Sequence, residues 1–357
     1  MFNHIPLLSL CEYQFRLRIM FKTSRQSPRL RHVNCGLQLH EINRPLTRSQ
    51  HPTHAKAILA RRNEPRHALE RFAVACSAAR AVAKTGRPPF NLAMMLRIHC
   101  LQQWFSLSDS RAEEALFENR FYRDFVGISG TQHIPDRVSI LRFRHLLEDY
   151  ELSPKILQVI NAKLAAHRLL LKAGTVVDAT LSAAPSSTKN KTGERDPEMH
   201  QVKKGNQWHL GMKAQFGVDA ESGWVDTVIG TAANVNDVTQ GHALLHSEEQ
   251  VVFADAGYQG FSKRPDAIGV DWRVAMRPGE RRAQKHTPWG SLHEQGEQLK
   301  ASVRAKVEHP FRVIKRQFGC VKVRYRELAK NTAQFITLFA LSNIWMARSR
   351  LMQSAQG

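Results

Sequence analysis

The sequence predicts a mixed α/β protein in which a run of short helices precedes a β-sheet covered by further helices. Three observations carry this expectation. After the break at Gly86-Arg-Pro-Pro-Phe90, apolar residues recur near helical spacing. From Gly174 onward the apolar runs become short and strand-like, and two long helical stretches close the chain.

The helical part opens with Leu92, Met95, Leu96, His99 and Trp104 on one periodic pattern. Leu107-Ser-Asp109 reads as a turn and cap into a helix over 110–119. Ile134-Pro-Asp136 interrupts the chain again, and Asp136 is placed to cap a helix carrying Val138, Ile140, Leu141, Phe143, Leu146 and Leu147. Arg137, Arg142 and Arg144 make that helix basic, a pattern that fits a helix-turn-helix-like DNA reader with Arg142 and Arg144 as DNA contacts. A solvated arginine face on an ordinary bundle gives the same pattern.

The sheet part starts with Thr175-Val-Val177, which leads into Asp178. Strands are expected over 212–218, 224–229, 251–254 and 272–276, with a helix over 237–245. The third of these, Val251-Val-Phe-Ala254, is apolar throughout and ends at Asp255. The stretch from Asp178 to His209 is rich in Ser, Lys, Asn and Gly and reads as a mobile loop. Helices are expected over 299–318, with a kink or late start at Pro310, and over 332–350. Trp208 and Trp224 read as core residues, and Tyr258 as either core or base-stacking.

Charge narrows the partners. Fifty-two Lys and Arg against 31 Asp and Glu give a formal charge of +21, a field that attracts phosphate backbones. Residues 1–85 alone hold fifteen Lys and Arg against four Glu, with no sustained periodicity before about Ala55, and read as a poorly ordered extension. A helical domain over 86–160 and a catalytic domain over 170–350 complete the expected division. Five scattered cysteines without a CxxC pair argue against a disulfide framework or a cysteine-rich zinc site, and suit a reducing cytoplasm. No run is long and apolar enough for a membrane span, and neither a Walker A nor a dinucleotide glycine motif is present. His242 and His246 have zinc-ligand spacing but lack the glutamate of a metalloprotease helix.

Two aspartates, Asp178 and Asp255, close apolar strands, where a charge needs solvent, a partner or a metal. A turn-capping role would explain either one alone. The third acid, Glu308, shares a helical face with Arg304, Arg312 and Lys315 at steps of four, four and three. One carboxylate among cations suits a metal ligand flanked by phosphate-neutralising groups. Three carboxylates are the oxygen donors that two Mg²⁺ ions require, with room left for a scissile phosphate.

These residues sit in recognisable surroundings. Asp178 in Val-Val-Asp-Ala-Thr, Asp255 in Ala-Asp-Ala-Gly-Tyr-Gln-Gly and Glu308 in Val-Glu-His-Pro-Phe-Arg-Val-Ile-Lys-Arg resemble the acidic triad of DDE transposases of bacterial insertion sequences, the insertion-sequence-five group. His209-Leu-Gly-Met-Lys213, Ala233-Asn-Val-Asn-Asp237, Arg324-Tyr-Arg and Leu328-Ala-Lys-Asn-Thr are similar to that family too, and the likeness spans about 86–345. Of the related signature Tyr-x₂-Arg-x₃-Glu-x₆-Lys, Arg304, Glu308 and Lys315 are present while the Tyr position is Ala301; Glu327 stands where a small residue, usually glycine, is expected.

The resemblance implies an RNase H-like catalytic fold. It implies Asp178, Asp255 and Glu308 holding two Mg²⁺ ions, with Mn²⁺ as a substitute, and double-stranded DNA as partner, both terminal inverted repeats and target DNA. Action as a homodimer on paired ends, in the cytoplasm at the nucleoid, is also implied. Arg304, Arg312 and Lys315, together with Lys203, Lys204 and Lys213, are then the expected DNA contacts of the catalytic domain. Two other readings share most of these features: a copy that binds DNA without cutting it, and an RNase H-fold nuclease without strand transfer.

Overall fold

The computed structural model describes residues 89–353 apart from 131, 171–173, 192, 247–248 and 265–268. The expected basic extension over 1–85 lies outside the described residues, and Ala93–Arg350 form one compact unit.

Among the described residues five helices come first: α1 (Leu92–Phe105), α2 (Asp109–Glu118), α3 (Arg120–Val126), α4 (Arg137–Asp149) and α5 (Leu152–Ala166). The expected caps are in place. Ser108 Oγ accepts the Arg111 N–H at 3.2 Å, and Asp136 Oδ1 accepts the Ser139 N–H at 3.0 Å, each satisfying a donor that the first helical turn leaves free. Helix α1 is buried from Met95 to Trp104 except at Arg97, which explains why its apolar residues outrun one face.

Six strands follow: β1 (Gly174–Ala183), β2 (His200–Lys204), β3 (Gln207–Asp219), β4 (Val225–Ala232), β5 (Val251–Ala254) and β6 (Asp271–Val274). They form one mixed sheet in the order β2-β3-β1-β5-β6, with β4 also paired to β3. β1 runs antiparallel to β3 and parallel to β5, and β5 runs parallel to β6. Then come α6 (Pro278–Gln284), α7 (Gly290–Arg304), α8 (Glu308–Arg312) and the long α9 (Leu328–Gln353).

Helix α9 lies on the sheet. Phe339 stacks on Phe216 of β3 with ring centroids 5.0 Å apart, and Phe311 of α8 meets the same ring edge-on at 4.5 Å. Gly230 in β4 permits this approach, since a Cβ there would stand 1.8 Å from Thr332 Oγ1. Buried Asn343 of α9 donates to Val225 O at 2.7 Å and to Asn161 Oδ1 of α5 at 2.9 Å, and accepts the Val225 N–H at 2.9 Å. One side chain thus joins the helical part, the sheet and α9, and removing it would strand several buried polar groups. No helix among the described residues is long and apolar enough to cross a membrane.

The structure corrects several expectations. β1 continues five residues past Asp178, and the stretch read as a loop contains β2, because the β2–β3 hairpin supplies ladder partners that its polar composition hides. Residues 237–245 form two short 3₁₀ turns, Asp237–Gln240 and His242–Leu244, rather than one helix. The helix expected over 299–318 is divided. α7 passes through a 3₁₀ turn (Ala305–Val307) into α8, and a π-turn follows over Val313–Gln317. Pro310 falls in the first turn of α8, where its missing N–H costs nothing. Trp224 is buried as expected, but Trp208 is 66 % exposed on the hairpin.

Candidate active site

The parallel pair β1–β5 sets two acids side by side. Its last rung joins Val177 to Ala254, so Asp178 and Asp255 each stand one residue further along adjacent strands. Val177 and Ala254 turn into an apolar cluster with Leu244, Val252 and Tyr258. Alternation therefore sends both aspartates to the opposite face. On that face Asp178 is the register partner of Phe216, whose ring touches Phe311 of α8. The aspartates accordingly face the helix that begins with Glu308.

Each acid is placed by local chemistry. Asp178 Oδ1 accepts its neighbour Ala179's N–H at 2.7 Å. Asp255 caps the turn Ala256–Tyr258 by accepting the Gly257 N–H at 2.9 Å; a Cβ on residue 257 would approach that same oxygen to 2.9 Å, which explains the glycine. Asp255 is thus both a turn cap and a cleft residue. Glu308 is exposed, held at its helix start by buried Val307 and Phe311 on either side.

The three acids line one cleft of about 1220 Å³ with Lys203, Lys204, Lys213, Asp237, Arg304, His309, Arg312, Lys315 and Arg316. Burial pushes the Asp178 carboxyl up to about 6, and the negative charges of Asp255 and Glu308 push the same way; the Ala179 N–H and the Arg304 guanidinium oppose them. Tyr258, three residues past Asp255, is only 1 % exposed, so it has no ring face free for a base. Its hydroxyl is buried without a hydrogen-bond partner, and burial, followed by the charges of Asp237, Asp178 and Asp255, pushes its pKa well above the ordinary phenol value.

The expected DNA contacts divide into four groups. Arg304, Arg312, Lys315, Lys203 and Lys204 line the cleft, and Lys315 Nζ also donates to Thr180 Oγ1 at 3.1 Å. Lys213 lines it as well, but its ammonium is engaged on the floor by Asp237 Oδ1 at 3.0 Å and Val235 O at 2.8 Å. Arg142 is exposed on α4 and is not among the cleft residues. Arg144 requires a correction: it is 8 % exposed, paired with Glu148 at 3.0 Å and Asp109 at 3.3 Å, and 4.3 Å from the Tyr325 ring centroid. It is an internal tie, because two carboxylates and a ring already occupy its guanidinium. Sequence reasoning missed Asp237 and Arg316 as cleft residues. Arg316 lies one helical step beyond Arg312 and was open to the same spacing argument.

Among the described residues, no three His, Cys, Asp or Glu side chains stand close enough to share one ion. The donor set is nonetheless all oxygen, and at its centre burial and two neighbouring carboxylates outweigh the one cation, Arg304, that opposes them, a combination that fits a hard divalent ion held by carboxylates.

Residues 170–344 match the family model described as the transposase DDE domain, a range that takes in all three acids. Residues 58–146 match a second, described as Transposase domain (DUF772), of which the part from 89 onward lies mostly in the described helices. No solved structure matches the chain. With the two models covering roughly three quarters of its length in the same order, the chain belongs to the DDE transposases of insertion sequences.

Proposed function

We propose that this chain, as a member of the insertion-sequence-five group, binds the terminal inverted repeats of its element, hydrolyses the phosphodiester at each end and joins the freed 3′-hydroxyl to target DNA. The observation that carries this reading is the half-buried Asp178 carboxyl, raised by burial and by the charges of Asp255 and Glu308, in a cleft whose other charged residues are cations apart from Asp237. Asp178, Asp255 and Glu308 would hold two Mg²⁺ ions, or Mn²⁺ in their place. Such ions, when bound, supply an activated water and neutralise charge on the phosphate.

The chain's own groups do the rest. Asp178 and Asp255 fix oxygen ligands on adjacent interior strands of the sheet, and Glu308 faces them from the helix. Arg304 offsets the excess negative charge beside Asp178, and Arg312, Lys315, Lys203 and Lys204 hold phosphates along the cleft without reading sequence. A mixed sheet with acids just past the last rung of its parallel β1–β5 ladder supports an RNase H-like catalytic core, and the helices over 92–166 support a DNA-reading role for the N-terminal part. Paired ends call for two copies of the chain.

The test uses the purified protein and its Glu308→Gln variant on a plasmid carrying the DNA that flanks the gene, with Mg²⁺. Wild type is expected to cut at the repeat ends and yield joined products, and the variant to bind equally well without cutting. A variant that also loses binding would give Glu308 a structural role, and nicks without joined products would make the chain a nuclease. A second reading, a worn copy that binds without cutting, is favoured by Glu327, whose φ of 75° is a conformation suited to glycine. Binding without cleavage by wild type in either Mg²⁺ or Mn²⁺ would select it.

A further inference from the structure

Helix α7 is built inside out. Its charged residues turn inward: Glu297 is 4 % exposed and Lys300 pairs with it at 2.8 Å, Glu294 pairs with Arg281, and Arg304 lines the cleft. Each of its exposed residues, from Ser291 through His293, Gln295 and Gln298 to Ser302, lacks a fixed charge. Leu292 is 61 % exposed and Leu299 70 %, and Trp289, immediately before the helix, is 67 % exposed. Three of the nine large apolar side chains exposed among the described residues thus fall within eleven positions. Surface helices of monomers show the reverse pattern, and a clustered apolar patch of this kind marks a contact surface.

The spacing specifies the contact. Trp289, Leu292, Gly296, Leu299 and Val303 follow at steps of three, four, three and four, the seam of a two-helix coiled coil. Gly296 sits at the centre of that seam. A glycine inside a helix weakens it relative to alanine, and nothing in the chain needs this one: a Cβ there would meet no atom within 4 Å. A glycine at the midpoint of an apolar seam lets two helix backbones come close.

We infer that the outward face of α7 is a self-association surface, on which α7 of a second copy of this chain packs antiparallel about a two-fold axis near Gly296. The seam is self-complementary under that operation, which sets Leu292 against Leu299 and Trp289 against Val303 of the other copy. Charge selects the same occupant. A chain of +21 repels its own copies over most of its surface, and this neutral face is where two can meet without that repulsion. DNA finds no cation on it. The inference is independent of the catalytic reading, and its test involves neither DNA nor metal.

The full chain is measured by sedimentation velocity from about 1 to 50 μM in salt near the Debye-screening range of ~0.15 M and above. Wild type is expected at twice 40.6 kDa, and the double variant Leu292→Gln/Leu299→Gln at 40.6 kDa with unchanged circular dichroism and Tm. Gly296→Leu is expected to weaken the dimer at least tenfold while leaving the monomer folded, which a generally sticky surface would not do. A wild type that stays at 40.6 kDa, whether because the face is bare or because another partner or segment covers it, overturns the inference. So does a double variant that remains dimeric.

Discussion

The cleft has two walls made on opposite terms. The sheet wall sets Asp178 and Asp255 just past the last rung of the β1–β5 ladder and ties Lys213 to Asp237, so its charges are fixed and partly desolvated. The helix wall displays Glu308, Arg312, Lys315 and Arg316 on an exposed surface. Charge on the first wall therefore costs folding free energy, while charge on the second costs almost nothing and is free to meet a ligand. The wall that positions the chemistry is the one that gives up stability for it.

The largest expected effect tests that claim directly. Because its folded-state value lies near 6 against a reference of 3.8, Asp178 holds its proton in the folded chain at pH values where the unfolded chain has lost it. Its penalty is absent below about pH 4, grows as pH rises, and is complete above about 6. Asp178→Asn is thus expected to raise stability by about 1–3 kcal/mol at pH 8 in metal-free buffer, and to match wild type near pH 4. Thermal melts across that range would show it, and a difference independent of pH would break the comparison.

A smaller effect is expected where the chain enters α9, the helix that backs the sheet wall. Glu327 holds a positive φ, and its side chain makes only an exposed pair with Lys330 at 2.8 Å. Glu327→Gly is expected to gain about 1 kcal/mol, since backbone strain outweighs a surface ion pair. Urea titration measures it; a loss of stability would mean that the Lys330 pair matters more than the strain.

The smallest effects belong to the helix wall. Arg312→Ala or Lys315→Ala should leave Tm nearly unchanged and weaken DNA binding several-fold. Each should also lower the slope of log K against log salt by ~0.9, one phosphate contact apiece. A salt slope equal to wild type would remove that residue from the DNA path.

Much of the site was legible because its signals are local. Each aspartate follows an apolar run, Glu308 sits at helical steps from its cations, and Ser108 and Asp136 cap the helices they precede. The expectation of a small residue at 327 has its reason in the positive φ found there. What escaped was long-range. Arg144 looks like any surface arginine until Asp109, Glu148 and Tyr325 are folded around it, and Trp208 looks like core until its hairpin stands clear. Strand β2 is invisible because its stability resides in β3, not in its own polar residues.

By itself, then, the sequence determined the alternation of elements, the three acids and the basic character of their surroundings, because periodicity, caps and charge act over a few residues. Tertiary structure alone decided which cations are free and which are internal ties. It also raised the Asp178 carboxyl, first by burying it and then by placing it beside Asp255 and Glu308, and turned the neutral side of α7 outward. Those outcomes depend on which distant groups share a volume from which water is excluded, and that is set only when the sheet and the helices pack together.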